Sequence, residues 1–441
     1  MLFCLIYVKI LERCLTLVEI IFYISIALSA AIVLVGFPHV IYMFIGLLSP
    51  KKYPNAKINY KYACIVCARN EEGVIAQLID SIKKQDYPAE LIDIFVVADN
   101  CDDNTAKVAQ EAGAIVFERN NRHLRGKCYA LQFILDIMNN QYADKGYKGY
   151  FYFDADNLLA RNYITEMNKA INAGEVIVNS HRAPKNYDNW LSAGTGLMFL
   201  QQCRFVHQAR AKINTSTYIA GTGFYTDAEI IRKQGGWPYT SMTEDIEFSH
   251  AKVLEGYKIA YCDSAIFYDD QAMTINDTIN QRARWVKGGY QCCAKFLLKH
   301  LKNMRKSFSS YDLLFLLLPI PIISFSWAII STLAFLLMGI FGWGITFLKA
   351  LWIIGVQFIG VYAAAWLLGL AVTILEWKHI KASVIKKILY TFTFPANMML
   401  FLPAVYVALG DVKWRSIKRT QKSIAELEGQ KEIIEFEKAK P

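Results

Sequence analysis

Apolar and polar positions are distributed unevenly along this chain. Residues 15–48 and 312–410 are dominated by apolar side chains, whereas residues 51–305 alternate short apolar runs with amphipathic stretches. Within 62–118, ACIVCA reads as a strand, EEGVIAQLIDSIKKQ has helical spacing, and IDIFVVAD is a second strand. NTAKVAQEAG follows as a helix ending in glycine, and AIVFE as a third strand. This β-α-β-α-β order predicts a parallel, doubly wound sheet of the Rossmann-like α/β class. Ligands of such sheets sit at the carboxyl ends of the strands. Asp99 and Asn100 end the second strand and Asp154 ends a later one, GYFYFD, so both point to one crevice.

The apolar runs predict α-helical membrane segments around this domain. The first contains LTLVEIIFYISIALSAAIVLVGF, with a single early charge. It is long enough to cross a bilayer core of about 30 Å, and too long, with no cleavage site, for a cleavable signal. Two further runs, 312–341 and 343–375, flank Gly342, and a third, 389–410, is interrupted by Pro395 and Pro403. Lysines on both sides of the third run conflict with a simple crossing, so a span and an interfacial or re-entrant helix both stay open. The expected organisation is an N-terminal membrane segment (1–50), a catalytic domain (51–275), an amphipathic interface helix (276–311), membrane or interfacial helices (312–410) and a charged cytosolic tail (411–441).

Composition supports this division. Of 441 residues, 54% are hydrophobic and the mean hydropathy is +0.23, high for a soluble protein. The net charge of +10 comes largely from clusters beside the apolar runs, at Lys51–Lys52, Lys299–Arg305, Lys378–Lys387 and Lys413–Lys422. Basic flanks mark cytoplasmic loops, which argues against a nucleic-acid partner and for a catalytic domain on the cytoplasmic face of the cell membrane. The ten cysteines form no framework. Cys64 and Cys67 sit at i and i+3 of a strand, on opposite faces, and cannot chelate a metal together. The sequons at Asn214 and Asn276 fall in the same cytosolic region and are expected to stay unmodified.

Three constellations carry chemistry. Asp154-Ala155-Asp156 ends an aromatic strand, and alternate strand residues share a face, so both carboxylates can face the crevice. Paired carboxylates repel a diphosphate unless a hard cation such as Mg²⁺ or Mn²⁺ bridges them; a solvated acidic strand end is the plainer reading. Thr243-Glu244-Asp245 opens a helix. Thr243 is a good N-cap and acids favour the first turn, while Asp245 is also placed to act as a general base. Gln281, Arg284 and Trp285 share one face of a helix running from about Asp277 to Leu301. Arg284 can clamp a diphosphate and Trp285 offers a flat face to a sugar ring, although a membrane-interface helix also favours Arg and Trp. Smaller signals are Gly221-Thr222-Gly223, where the backbone can approach a ligand, and Lys127, which begins a helix whose N-terminus could meet a phosphate. His123, His181 and His250 show no metal-ligand spacing and receive no role. Arg415 and Arg419 form an RxxxR pair that reads as a solvated basic run.

In order and spacing these motifs resemble the processive family-2 glycosyltransferases, the group of cellulose, hyaluronan, chitin and poly-N-acetylglucosamine synthases, over about residues 60–305. CARNEE is similar to the family's first nucleotide-contacting strand end, which carries over Ala68, Asn70 and Glu71; VVADNCDDNT carries over Asp99 as a uridine contact. Asp154 and Asp156 match its DxD metal motif, with Asp156 the direct ligand. AGTGF resembles the acceptor-lining stretch, giving Gly221, Thr222 and Gly223. Thr243, Glu244 and Asp245 match TED, with Asp245 as catalytic base. Gln281, Arg284 and Trp285 match QxxRW, with Gln281 and Arg284 on the nucleotide and Trp285 on the acceptor sugar.

The resemblance implies a GT-A fold, an inverting displacement, a UDP-sugar donor, a growing polysaccharide acceptor, Mg²⁺ or Mn²⁺, contact with membrane lipid, and a monomeric enzyme that exports its polymer through its own membrane helices. The expected product is a β-glucan from UDP-glucose, cellulose-like or mixed 1,3;1,4-linked. The alternatives are a poly-N-acetylglucosamine, chitin or hyaluronan type of synthase, or a single-addition enzyme with a lipid acceptor. Two features depart from the family. Only Asp99 follows the second strand where relatives have two acids, and no FxVT-type gating sequence is present, leaving Lys413-Trp414-Arg415 as the segment that would close over the diphosphate.

Overall fold

The structure is a computed structural model and describes residues 2–318, 320–343, 345–412, 417 and 419–428. Eight strands form one sheet: β1 Tyr62–Ala68, β2 Ile92–Asp99, β3 Ile115–Arg119, β4 Gly149–Asp154, β5 Leu158–Leu159, β6 Ile177–Pro184, β7 Phe224–Asp227 and β8 Ala260–Asp269, in the order β3-β2-β1-β4-β7-β6-β8-β5. The first four strands are parallel, as the alternation of strands and helices predicts. Beyond these strands the sheet is mixed. β7 runs antiparallel to both β4 and β6, and β5 antiparallel to β8. The reversal is built at Gly221 and Gly223, whose φ angles of +93° and +67° turn the chain back along β4. A Cβ on Gly223 would overlap the Phe267 ring, so only glycine fits that turn.

Period-two alternation builds the two layers. From β1, Cys64 and Val66 face the helix Ile75–Lys83 through Ile75, Leu78, Ile79 and Ile82. Ala63 and Ile65 face the helix Lys127–Gln141 through Leu131, Ile134, Leu135 and Met138. Cys64 and Cys67 accordingly lie in different layers. The register aligns Ala68 with Ala98 and Cys67 with Asp154, which brings the ends of β1, β2 and β4 to one edge.

Among the described residues, two helical stretches, Phe347–Leu375 and Val384–Ala408, are long and apolar enough to cross a membrane. The second is held along the catalytic domain. The Tyr390 hydroxyl donates to the Tyr187 carbonyl at 2.9 Å, the Asn397 amide to the Leu191 carbonyl at 3.0 Å, and Arg282 to the Asn397 side chain at 2.5 Å. Its other side exposes Ile385, Ile388, Leu389 and Phe392. One face is thus packed on the catalytic domain and the other is bare and apolar, which suits a helix that meets lipid along one side.

The boundary expected at 311/312 falls inside the helix Phe308–Leu317. That helix is fastened to the catalytic domain by Asp312, which takes two hydrogen bonds from Arg210, at 2.6 and 3.0 Å, with both side chains fully buried. The tail differs from expectation. Ile424 and Leu427 pack into a cluster with Leu158, Ala160, Ala183 and Tyr268, so residues 419–428 dock on the sheet rather than standing in solvent. Lys413, Trp414, Arg415 and residues 429–441 lie outside the described residues.

Removing one partner of a buried ion pair strands the other charge, at about 3–5 kcal/mol, whereas an apolar replacement of both is far milder. Asp312→Ala is expected to lower stability by that amount in denaturation of the detergent-solubilised chain, and the pair Arg210→Met with Asp312→Leu to recover most of it. A loss of under about 1 kcal/mol in the single variant would put the pair outside the fold's essential contacts.

Candidate active site

The turn before the helix Glu244–Leu254 is shaped from within and from the helix Ile275–Asn303. The Glu247 carboxylate accepts from the backbone N–H groups of Thr240 and Ser241, at 3.1 and 2.8 Å, and pairs with Lys295. Thr243 occupies the N-cap position but makes no cap hydrogen bond. Its side chain is turned against Gly288, where a Cβ would overlap it, and its hydroxyl lies 3.8 Å from the Cys292 sulfur. The capping role expected of Thr243 therefore gives way to a close packing contact between the TED turn and the QxxRW helix.

The DxD carboxylates reach the crevice by a different route from the expected one. β4 stops at Asp154, and Asp156 sits in the turn beyond it, closed by a bond from the Asn157 N–H to the Asp154 carbonyl at 3.0 Å. The two aspartates therefore have different partners. Lys127 donates to Asp154 at 2.5 Å and to the Gly221 carbonyl at 2.9 Å. The Thr222 hydroxyl accepts from the Asp154 N–H at 2.8 Å and donates to Asn157 at 2.5 Å. A Cβ on Gly221 would lie 4.0 Å from an Asp245 oxygen and 4.0 Å from Arg182. Lys127, Asp154, Gly221, Thr222 and Asp245 thus share one crevice.

At the neighbouring strand ends, Asp99 is paired with Arg119 at 2.5 Å and accepts from Asn100 at 2.8 Å. Asn70, with φ of +55°, accepts from the Asp102 N–H at 2.8 Å, and the Glu71 N–H donates to Thr105 at 2.8 Å. These bonds tie the segment after Ala68 to the one after Asp99.

Asp156 is held by a residue read from the sequence as solvated. Arg419 donates to Asp156 at 2.6 Å and to Glu71 at 2.9 Å, and the next residue, Thr420, bonds Asp270 through its N–H at 2.9 Å. The reason is charge. Burial and the carboxylates of Asp269, Asp154 and Asp270 push Asp156 well above the usual carboxylate range, against the pull of Arg419. Asp154 goes the other way: burial would raise it, but Lys127 holds it below its ordinary value. An oxygen-only donor set crowded around a buried carboxylate suits a hard divalent cation. Both DxD carboxylates carry a cation, Lys127 on Asp154 and Arg419 on Asp156, so a divalent ion held by Asp156 would have to displace Arg419.

On the opposite wall, burial and the adjacent Asp245 push Glu244 up to about 7, and burial raises Asp245. Burial lowers the Arg284 guanidinium while Glu244, Asp154 and Asp245 favour its charge, which places it in the field of all three. Trp285 packs edge-on to Phe199 at 5.8 Å and lies 6.5 Å from Phe401. The Gln281 carbonyl oxygen is buried without a hydrogen-bond partner. Arg282, between the motif residues, points away from the crevice to Asn397.

Sequence reasoning missed Arg119, Arg182, Asp269, Asp270 and Arg419. Asp269 and Asp270 end an aromatic strand just as Asp154 does, so the same strand-end argument applies to them. Arg182 binds Asp269 through Nε at 2.7 Å and the Ala220 carbonyl at 2.9 Å.

A family profile described as "Glycosyltransferase like family 2" matches residues 60–288. A probable glycosyltransferase, YdaM, of Bacillus subtilis is 26% identical over 280 residues, covering 62% of this chain and 64% of that protein. A beta-monoglucosyldiacylglycerol synthase of Trichormus variabilis is 24% identical over 267 residues, covering 59% of this chain and 55% of that one. The chain thus spans less than two thirds of the length of these relatives. Among solved structures, the mannosyltransferase PcManGT from Pyrobaculum calidifontis, in complex with GDP-Man and Mn²⁺, shares the fold at a TM-score of 0.58 and 17% identity. That match covers 89% of this chain and 100% of that one.

A base drawn from the Glu244–Asp245 pair must be ionised to work, and the pair titrates as a unit. Because burial raises both carboxylates, the acidic limb of the kcat/KM profile is expected above the ordinary carboxylate range, with activity rising with pH and then levelling off. Lys127→Met removes a cation that favours both ionised forms, so it should move the acidic limb to higher pH. An acidic limb near 4, the ordinary carboxylate value, would remove the pair from the chemistry.

Proposed function

The chain belongs to glycosyltransferase family 2 and has the GT-A fold, and on that premise we propose that it transfers a single sugar, with inversion, from a UDP-sugar to a hydroxyl of a membrane lipid. The observation that carries this reading is the position of Asp245. It lies beside Gly221, opposite Lys127 and Asp154, and next to the helix that bears Arg284 and Trp285.

In this reading the donor diphosphate lies along the strand ends, with Arg284 neutralising charge that develops on the leaving group. Asp245 takes the proton of the acceptor hydroxyl as that oxygen attacks the anomeric carbon from the side opposite the nucleotide. Asp156 and its neighbours would hold a Mg²⁺ or Mn²⁺ ion, which supplies Lewis-acid stabilisation of the diphosphate. Arg419 occupies Asp156 meanwhile, and its release is coupled to nucleotide entry. Glu71 and Asp99 stand where the ribose and base would be held.

Two features support a lipid acceptor over the polysaccharide implied by the processive synthases. Trp285, the expected acceptor contact, packs against Phe199 and Phe401 in the cluster that also contains Tyr390 and Phe394 of the helical stretch Val384–Ala408. The acceptor side of the crevice therefore adjoins the element with a bare apolar face. A relative named for a glucosyl-diacylglycerol product points the same way. The basic clusters beside the apolar segments suit a catalytic domain on the cytoplasmic surface of the membrane. The TED and QxxRW motifs keep the processive reading as the competitor.

Product length separates the two. Full-length enzyme given labelled UDP-glucose, Mn²⁺ and vesicles containing diacylglycerol is expected to yield a lipid carrying one hexose, even with donor in excess. A ladder of longer saccharides formed without lipid would favour the polymer reading. Asp245→Asn should lower turnover about 100- to 10,000-fold; retention of wild-type rate would exclude it as the base.

A further inference from the structure

Among the described residues, one side chain from β6 and two from the turn that ends the helix Phe347–Leu375 converge at the junction between that helix and the catalytic sheet. One ligand atom each from His181, Glu376 and His379 lies within 4.8 Å of the others. We propose that these residues bind a divalent transition-metal ion of the zinc class, and that the ion fastens this helix to β6.

The backbone presents all three side chains to one point. Glu376 and His379 sit three residues apart in the turn that ends the helix, where the His379 N–H bonds the Glu376 carbonyl at 2.9 Å. His181 stands at the register shift between β6 and β8, next to Ser180. Such irregularities re-aim a side chain out of the regular pleat. The rings of His181 and His379 have centroids 4.8 Å apart.

The polar partners fit a ligand shell. His181 is 1% exposed. Its Nδ1 is engaged by the Asp263 carboxylate at 3.1 Å and the Tyr261 hydroxyl at 3.2 Å. Its Nε2 is buried with no hydrogen-bond partner. A carboxylate on one imidazole nitrogen and no partner on the other is the arrangement that orients a metal-binding histidine. His379 Nδ1 lies 2.6 Å from one Glu376 oxygen, while the other oxygen is 3.5 Å from Arg204. Arg204 therefore balances part of the Glu376 charge without closing on it.

Two imidazoles and a carboxylate suit Zn²⁺ and its neighbours, whereas Mg²⁺ and Ca²⁺ prefer oxygen alone. Donor atoms around a tetrahedral zinc are about 3.3 Å apart, so binding draws the three groups together. The His379 side chain is 35% exposed, which gives it room to rotate and leaves an outward coordination position for water. The site is separate from the oxygen-only cluster around Asp156. It is nevertheless linked to the crevice through β6, because the residue after His181 is Arg182, which holds Asp269 and the Ala220 carbonyl.

The test uses the full-length chain with a tag free of histidine, stripped with a chelator and dialysed against Zn²⁺. The wild type is expected to retain one zinc per chain by elemental analysis, to give the visible absorption of low-symmetry Co²⁺ when cobalt replaces zinc, and to melt several degrees higher with zinc than without. Glu376→Gln and His379→Ala should lose the zinc and the melting shift while keeping native circular dichroism and Mn²⁺-dependent UDP binding. Asp156→Asn should keep the zinc. A wild type holding no more zinc than the His379→Ala variant, or zinc that departs with Asp156, would overturn the proposal.

Discussion

Negative charge converges at the carboxyl edge of the sheet, and much of the surrounding structure answers to it. Glu71, Asp154, Asp156, Asp269 and Asp270 are brought together by strand ends and a turn. Like charges about 4 Å apart repel by several kcal/mol in a protein-like dielectric. Each carboxylate has acquired a cation: Lys127 on Asp154, Arg182 on Asp269, Lys185 on Asp270 at 3.3 Å, and Arg419 on both Glu71 and Asp156. The docking of the tail follows from this constraint. Arg419 supplies charge where the sheet has none to offer, and Ile424 and Leu427 bury the apolar face beside it.

The same charge distribution differentiates the two walls of the crevice. On the strand side Lys127 holds Asp154 below its ordinary value, while on the helix side burial raises both Glu244 and Asp245, and the neighbouring Asp245 raises Glu244 further. One wall is therefore lined by a cation-carboxylate pair, and the other by two carboxylates whose ionised forms are disfavoured. Close packing holds the walls at a fixed separation. Gly288 admits Thr243, and Gly194 admits Asn397, which in turn receives Arg282. The helix bearing Arg284 and Trp285 is thus clamped between the TED turn and the helical stretch Val384–Ala408.

Local features of the sequence were legible because local physics decides them. Short apolar runs marked β1, β2 and β3, and helical spacing and a terminal glycine marked the intervening helices. The strand-end rule located Asp99 and Asp154. Long-range features were not legible in this way. The antiparallel course of β7 depends on a turn whose glycines look from sequence like a ligand-approach motif. The third apolar run was ambiguous because lysines flank it on both sides, and its packing against Tyr187 and Leu191 joins residues far apart in the chain. Arg419 looked like one basic residue among several; only the excess of buried carboxylates explains its place. His181 had no ligand spacing because its neighbours Glu376 and His379 lie beyond the apolar helix.

In the proposed function, these carboxylates become a nucleotide-diphosphate site only once a divalent cation takes over Asp156 from Arg419. Calorimetric titration of UDP into the wild-type chain, with Mn²⁺ and then with chelator, tests this directly. Affinity should be about tenfold or more tighter with Mn²⁺, and Asp156→Asn should erase the difference. Equal affinity with and without the cation in the wild type would contradict the account.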